Sequence, residues 1–446
     1  MYGHNLIDCG DYDWSENDLN SNALYLREKF RGATECKNFF HHYDPRMIDA
    51  LLNEDKVNEI VELIKKDHTN VRRLTSKPNF IGFISNGSSV DMGATASLPF
   101  LEGKCSIMSI MGLKANMPVV LSEKDPTKFA KLVELIAPTF GCIVMDLVKA
   151  PGCFEIEKSI TKTLPCPLIN NDQHGTAIMV VAAIINGIKT MNEKKPAELK
   201  VVINGCAAAG YGVTQLLLKY GIKFIVVCDS HGSLYRNRLE NMNDQKIEIA
   251  NMTNYDDEKG PLEDLLKSAH VYVGVTGGEP QKPDFYKMSN DHMLFFLEKP
   301  KPAMTYQEAA ELDANMTCTS SPEYPNCVNN IMALGGILRA MTDGGVKTLN
   351  LDMKLAAAKA VAKMISDEQL AKVRLLPDPL NKEMVAQVAG AIVNEARKSG
   401  METSDFIEGE EQDIVNYFRA ANSGYDYIKE KYFDRVAKLL AMSPNK

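Results

Sequence analysis

The chain lacks several features that would place it outside ordinary globular proteins. Its ten cysteines form no Cys-x-x-Cys pair, which excludes zinc-ribbon spacing. The longest apolar stretch, 177–188, contains Asn186 and Gly187 and is too short to span a bilayer. Residues 1–20 have neither an apolar core segment nor an arginine-rich pattern. We therefore expect no secretory signal or transit peptide, and we predict a cytoplasmic protein with buried, reduced thiols.

An excess of positive charge is also missing. The formal net charge is −8 and no basic stripe is visible, which argues against a nucleic-acid partner. Hydrophobic residues make up 45% and charged residues 24%, the balance of a soluble globular protein. A length of 446 residues exceeds one ordinary core, so we predict two domains. We place them at 21–180 and 181–400, between a polar lead-in at 1–20 and a helical tail at 401–446.

Alternating strand and helix patterns predict an α/β fold with a doubly wound parallel sheet in its second half. Apolar spacing predicts helices over 45–66, 126–136, 175–191, 210–220, 353–365 and 381–399. Short apolar runs predict strands over 80–84, 142–145, 200–204, 223–228, 271–275 and 293–297.

The segment from Gly205 to Gly210 has the pattern of a dinucleotide-binding turn between a strand and a helix. Gly205 permits the tight turn, and Gly210 permits close packing of helix on strand. Ala207 stands at the position where the pattern has its middle glycine, and its methyl group would crowd an approaching phosphate. Asp229 ends the next strand, where an acid hydrogen-bonds the ribose of NAD. NAD is therefore favoured, although Arg236 and Arg238 leave NADP open.

Four side chains elsewhere are candidates for catalysis or metal binding. Asp146 follows an apolar strand and Asp172 begins a helix, so the two carboxylates could share Mg²⁺ or Mn²⁺. Considered alone, Asp172 is more simply interpreted as a helix cap. Lys104 could act as a base if a dry cleft lowers its pKa, and Tyr43 could donate a proton. Taken singly, each of these two fits an ordinary surface or packing role better.

Several longer strings, found in one order along the chain, resemble the compact, bacterial-type malic enzymes. The similarity runs from about residue 23 to about residue 400, and its most specific strings are 137–141, 149–154, 172–177, 324–330 and 353–358. The resemblance implies an N-terminal malic-enzyme-type α/β domain followed by a Rossmann-like domain. It also implies oxidative decarboxylation of malate to pyruvate and CO₂ with reduction of NAD or NADP, a divalent cation, and a homodimer.

The same resemblance assigns roles to individual residues. It places the catalytic lysine at Lys104 and the catalytic tyrosine at Tyr43, where only Tyr and Pro of the family's Tyr-Thr-Pro string agree. The metal-binding acids fall on Asp146 and Asp172, and Asn330 matches an asparagine that contacts both substrate and cofactor. The cofactor-binding set is Gly205, Ala208, Ala209, Gly210, Asp229, Thr276 and Asn330.

The chain departs from the family at positions that matter for the cation and the substrate. Leu147 stands where the family has a second acid, and Asn171 replaces the first of two paired aspartates. Lys299 replaces an asparagine before Pro300. The loop at 90–94 is shortened. Asp91 and Glu298 are candidates to restore lost negative charge.

These departures keep two alternatives open. The chain could be a catalytically impaired paralogue that binds a nucleotide and serves as a regulatory or interaction protein. Its substrate could also differ from malate, with Lys299 pairing with an extra carboxylate or phosphate.

Overall fold

A computed structural model describes residues 51–90, 93–111, 115–191, 194–280, 282–312, 316–401 and 411–423. Tyr43, Asp91 and the lead-in lie outside these ranges, so nothing structural is said of them. Two parallel sheets and the helices around them form the described part of the chain.

The first sheet has four parallel strands in the order β2-β1-β3-β4. Its strands are β1 (Phe80–Ser85), β2 (Ala115–Val120), β3 (Cys142–Met145) and β4 (Leu168–Asn170). The accompanying helices are α1 (Glu54–Lys66), α2 (Val71–Leu74), α3 (Leu98–Ile110), α4 (Pro126–Ile136) and α5 (Gly152–Ile160). Strands β3 and β4 are buried throughout, as expected of a parallel sheet covered on both faces.

Helix α6 (Asn171–Thr190) begins directly after β4 and connects the two halves of the chain. Its residues from Ala177 to Ile188 are all buried, so it packs as a central element. The helix begins one turn before the predicted start at Gly175. It also continues without a break through the 180/181 position at which we predicted the domain boundary.

The second sheet has the order β12-β10-β8-β5-β6-β7, parallel except for the β6–β7 pair. Its strands are β5 (Lys200–Asn204), β6 (Phe224–Asp229), β7 (Gly232–Ser233), β8 (Val271–Gly274), β10 (Met293–Phe296) and β12 (Met316–Thr319). A short parallel ladder joins β9 (Gly277–Gly278) to β11 (Lys299–Pro300). The helices are α7 (Ala208–Tyr220), α8 (Asp244–Met252), α9 (Leu262–Leu265) and α10 (Tyr306–Ala310).

The described chain from Asn330 onward is helical and packs back onto α6. It comprises α11 (Asn330–Thr342), α12 (Leu351–Lys363), α13 (Asp367–Leu370), α14 (Lys382–Lys398) and α15 (Glu411–Ser423). One apolar core contains residues of the first sheet, of α6, of the second sheet and of these helices. The candidate site residues therefore lie on helices and strands that share one hydrophobic core.

The predicted elements that lie within the described ranges are confirmed in type, with shifts of a few residues at their ends. The helix predicted over 45–66 lies partly outside those ranges, and its described long helix begins at Glu54. Every cysteine in the described ranges is buried and free, as predicted, including Cys142 in β3 and Cys228 in β6. Among the described helices, none has the length and apolarity needed to cross a bilayer.

Candidate active site

Lys104 and Asp146 form a buried ion pair in the first sheet's half of the molecule. Lys104 projects from α3 and Asp146 directly follows β3; Lys104 Nζ lies 2.5 Å from Asp146 Oδ1. Their side chains are 17% and 0% exposed. Burial alone would lower the pKa of Lys104, but the carboxylates of Asp146 and Asp172 reverse this, and its pKa is raised. The lowered pKa that would let Lys104 act as a free base is therefore not found, and the resting side chain is an ammonium.

Asp172 lies in the first turn of α6, and both of its oxygens accept hydrogen bonds. The backbone N–H of Leu147 donates to Oδ2 over 3.2 Å, and Asn330 Nδ2 donates to Oδ1 over 3.1 Å. Burial and then the nearby charge of Asp146 raise the pKa of Asp172, while Lys104 and Lys299 oppose the shift. The carboxylates of Asp146 and Asp172 and the ammonium of Lys104 therefore interact within one cluster.

Gly175 lets α6 and α11 approach closely enough for this contact. A Cβ at Gly175 would lie 2.5 Å from the carbonyl oxygen of Asn330 and 2.8 Å from Asn171 Oδ1. The start of α11 therefore rests on the first turns of α6, and Asn330 is brought to Asp172. The position of Asn330 beside a predicted acid agrees with its expected place in the site.

Lys299 belongs to the short β9–β11 ladder and is exposed. Its backbone N–H donates to the carbonyl of Thr276 over 3.1 Å, and its strand β11 pairs with β9 at Gly277. Its positive charge lowers the pKa of Asp172, less than that of Lys104 does. The side chains in direct contact at the site are thus those of Lys104, Asp146, Asp172 and Asn330, together with Asn171.

The turn from Gly205 to Gly210 has the geometry that its sequence predicts. Gly205 adopts φ +116°, a left-handed backbone that favours glycine. A Cβ at Gly210 would lie 1.8 Å from the carbonyl oxygen of Gly205, so only glycine fits there. Ala207 is the N-cap of α7, and its methyl group cannot accept a hydrogen bond from the N–H groups that begin the helix. Ala208 and Ala209 follow in the first turn, whose N–H groups suit a phosphate.

This turn packs against the segment that carries Lys299. A Cβ at Gly205 would lie 3.1 Å from the backbone nitrogen of Thr276, whose carbonyl accepts the hydrogen bond from Lys299. The dinucleotide turn is thereby linked through Thr276 to the β9–β11 ladder.

Asp229 ends β6 as predicted, but its carboxylate is already occupied. Arg238 Nη2 donates to both oxygens over 2.8 and 3.0 Å, and Lys246 Nζ donates over 2.7 Å. Burial would raise the pKa of Asp229, but hydrogen bonds from Lys246 and then Arg238 outweigh it and hold the pKa below its ordinary value. The cluster formed by Asp229, Arg238 and Lys246 carries two positive charges and one negative charge. Arg236 lies elsewhere, over the ring of Tyr255.

A buried polar contact joins the start of α6 to α5. His174 Nε2 lies 2.8 Å from Glu157 Oε1, which ties α6 to α5. Lys354 of α12 is also buried, and burial lowers its pKa to about 8, although Glu157 opposes the shift. His174 is therefore engaged in a hydrogen bond with Glu157 in the first turns of α6.

The donor set around Asp146 and Asp172 does not fit a divalent cation well. Hard cations bind through several oxygen ligands and excess negative charge. Here Lys104, Asn171, Asn330 and Leu147 donate hydrogen bonds to the four carboxylate oxygens. Within the described ranges, no group of three or more His, Cys, Asp or Glu side chains could hold a metal ion. Both oxygens of Glu298 already accept hydrogen bonds, from the Tyr272 hydroxyl and from the backbone N–H of Ala303.

No protein-family model matches the chain. The bifunctional malic/malolactic enzyme of Bacillus subtilis is 34% identical over 389 residues, which are 86% of this chain and 94% of that protein. The chain belongs to the malic enzyme family. The NAD-dependent malic enzyme of Geobacillus stearothermophilus is 34% identical over 356 residues, covering 79% of this chain and 74% of its own length. The crystal structure of the NAD-dependent malic enzyme of Thermotoga maritima matches with a TM-score of 0.78 and 29% identity, over 83% of this chain and 98% of that chain.

Family membership and the expected architecture are thus confirmed. The structure brings together Lys104, Asp146, Asp172 and Asn330, all proposed from the sequence. It places Gly205, Ala208, Ala209, Gly210 and Thr276 in one turn and its packing partner, and Asp229 at the end of the neighbouring strand.

Two contributions were missed by the malic enzyme resemblance. Lys246 lies on α8, 17 residues beyond Asp229, and only the fold brings its ammonium to that carboxylate. Lys299 was noted as a substitution, but its electrostatic effect on the pKa of Asp172 depends on the fold and has no local sequence signal.

Proposed function

We propose that the chain oxidatively decarboxylates malate to pyruvate and CO₂ while reducing a nicotinamide dinucleotide. The observation that carries the proposal is the cluster of Lys104, Asp146 and Asp172 at the start of α6, the helix against which α7 and its dinucleotide turn pack. A Cβ at Gly212 of α7 would lie 2.5 Å from the carbonyl oxygen of Gln173 in α6. A base-and-acid group beside a dinucleotide turn suits hydride removal from a hydroxy acid. The relatives named above for malic enzyme activity support this choice of substrate.

The Lys104–Asp146 pair supplies the proton transfer. Lys104 is an ammonium at rest, so it accepts the C2 hydroxyl proton only if it gives one of its own away. At 2.5 Å, Asp146 Oδ1 is placed to take that proton. The pair thus acts as a relay: the hydroxyl proton moves to Lys104 as the C2 hydride moves to the nicotinamide. Tyr43, the predicted donor to the enol, lies outside the described residues and stays a prediction, as does the homodimer.

The cofactor part of the proposal concerns NAD and NADP. Asp229 was expected to bind ribose hydroxyls and to repel a 2′-phosphate. Its oxygens instead bind Arg238 and Lys246, and the surplus positive charge suits a phosphate. We therefore propose that the chain accepts NADP as well as NAD.

Mg²⁺ or Mn²⁺ on Asp146 and Asp172 stays a prediction from the family resemblance. The donor set described above does not favour it, so no step is assigned to a cation.

Initial rates of reduced-dinucleotide formation from malate test the proposal. Lys104→Met should lower kcat by about 100- to 10,000-fold, because the relay is lost. Lys128→Met, at an exposed lysine, is the matched control and should leave the rate unchanged. Wild-type protein that gives no more product than Lys104→Met, with either cofactor, would instead support the impaired paralogue.

The cofactor proposal is tested by the ratio of kcat/KM for NADP to that for NAD. Lys246→Ala should lower this ratio by about tenfold, since one charge facing the 2′-phosphate is removed. Lys259→Ala, at an exposed lysine over the ring of Tyr235, is the control. An unchanged ratio in Lys246→Ala would contradict the assignment.

A further inference from the structure

Glu298 is a buried acid at the edge of the second sheet, two residues past the end of β10. It is 2% exposed. Its contact with Tyr272 places it beside an apolar core that also contains Leu294 and Phe296. Burying a carboxyl group costs free energy unless its oxygens are hydrogen-bonded, so an acid at this position is not explained by packing alone.

The carboxyl group of Glu298 lies within a chain of hydrogen bonds. The Tyr272 hydroxyl donates to Glu298 Oε1 over 2.9 Å, and the backbone N–H of Ala303 donates to Oε2 over 3.2 Å. Asn204 Nδ2 in turn donates to the Tyr272 hydroxyl oxygen over 3.3 Å. Asn204 ends β5 and directly precedes Gly205. The chain therefore runs from the start of the dinucleotide turn to the loop that follows β11.

Gly274, the last residue of β8, leaves the space that this carboxyl group fills. A Cβ at Gly274 would lie 1.7 Å from Glu298 Oε1 and 2.7 Å from the Tyr272 hydroxyl oxygen. The backbone does not itself require glycine there, because the φ of Gly274 is not positive. The end of β8 is thus matched in shape to Glu298.

Backbone hydrogen bonds on both sides of Glu298 join it to the segment between β8 and β9. The N–H of Leu297 donates to the carbonyl of Gly274 over 3.0 Å, and the N–H of Lys299 donates to that of Thr276 over 3.1 Å. This segment packs against Gly205, as described above. A displacement of Glu298 would therefore displace the carboxyl end of β8 as well.

The strand order separates Glu298 from Asp229. β6, which ends at Asp229, neighbours β5 on one side, while β8 and then β10 follow on the other. A doubly wound sheet binds a dinucleotide across the carboxyl ends of its strands, with one mononucleotide half on each side of the first strand. The end of β6 faces the adenosine half, so the nicotinamide half lies over β8 and β10.

We propose that Glu298 is a positioning residue for the nicotinamide half of the bound dinucleotide. Through Tyr272 and Ala303 it holds the carboxyl ends of β8 and β10, on which that half lies, and it does not itself touch the cofactor. The inference rests on the proposed function, because it requires that the chain binds a nicotinamide dinucleotide.

Calorimetric titration of the purified full chain with two probes tests this role. NAD contains both halves, whereas ADP contains the adenosine and two phosphates but no nicotinamide. Glu298→Gln keeps the side-chain volume but replaces one acceptor by an N–H group, so that one of the two donors loses its acceptor. The Kd for NAD should rise by at least about fivefold, while the Kd for ADP should stay within about twofold of wild type. Retained ADP binding also shows that the variant is folded.

Tyr272→Phe tests the same chain from the other side. It removes the hydroxyl group but keeps a ring against Phe285 and Phe296. The same selective loss of NAD affinity is expected. The double variant should bind NAD no more weakly than the weaker single variant, because both changes break one chain of hydrogen bonds. Glu311→Gln, at an exposed acid after α10, is the control and should bind both probes as wild type does.

The outcomes separate this inference from the proposed function. Equal losses of NAD and ADP affinity in Glu298→Gln, or no loss of either, would overturn the positioning role. If Glu298→Gln does not fold, the two affinities of Tyr272→Phe decide in the same way. Wild-type protein that binds NAD but yields no product from malate would overturn the proposed reaction and leave this inference to the two affinities. Wild-type protein that does not bind NAD would overturn both.

Discussion

The surroundings of Asp172 disfavour the charged form of its carboxyl group. Burial and Asp146 raise its pKa above the ordinary value of 3.8. The folded chain therefore binds this proton more tightly than the unfolded chain does. The resulting stabilisation is present below the ordinary pKa and is lost as pH rises through the folded pKa. At neutral pH the ionised side chain thus costs stability, and its retention points to a functional use.

Replacing Asp172 by asparagine should separate stability from activity. At neutral pH Asp172→Asn should raise Tm by a few degrees, and the advantage should shrink as pH approaches the ordinary value of 3.8. Turnover should fall by at least about 100-fold. Thermal unfolding at several pH values, together with initial rates, checks both effects.

Asp229 serves as a control, because its pKa is shifted in the opposite direction from that of Asp172. Its pKa is lowered by Lys246 and Arg238, so its stabilisation is present above the ordinary value and is lost as pH falls. Asp229→Asn should therefore lower Tm at neutral pH. A lower Tm in both variants would contradict the electrostatic difference between the two sites.

At the scale of single elements, the turn into α7 was predictable because each requirement is local. Gly205 must adopt a positive φ, and Gly210 must let the helix approach the preceding carbonyl. The start of α6 was less predictable. Gly175 looked like its first residue, yet the structure begins the helix at Asn171 because the chain turns directly out of β4. Gly175 instead provides the close approach to α11.

Gly210→Ala should impair dinucleotide binding because its Cβ would overlap the Gly205 carbonyl. We expect the Kd for NAD or NADP, measured by calorimetry, to rise by at least about tenfold. Gly221→Ala is the matched control at the other end of α7. Its φ of +108° makes alanine unfavourable, but the added Cβ has open space. It should lower Tm while leaving the Kd unchanged; an equal loss of affinity in both would contradict a local role for Gly210.

At the scale of the whole molecule, the site depends on contacts that no single segment contains. Lys104 comes from α3, Asp146 follows β3, Asp172 belongs to α6, and Asn330 begins α11. The resemblance, which depends on motif order along the chain, named these four residues and predicted the family and the parallel sheet of the second half. The partners of Asp229 and the raised pKa of Lys104 could not be predicted, because each depends on distances between elements far apart in sequence.

The account's central claim is best tested by product stoichiometry. The purified full chain, supplied with malate and NADP or NAD, should release pyruvate, CO₂ and reduced dinucleotide in equal molar amounts. Reduced dinucleotide without CO₂, lactate without reduced dinucleotide, or no product above the Lys104→Met control would each contradict the account.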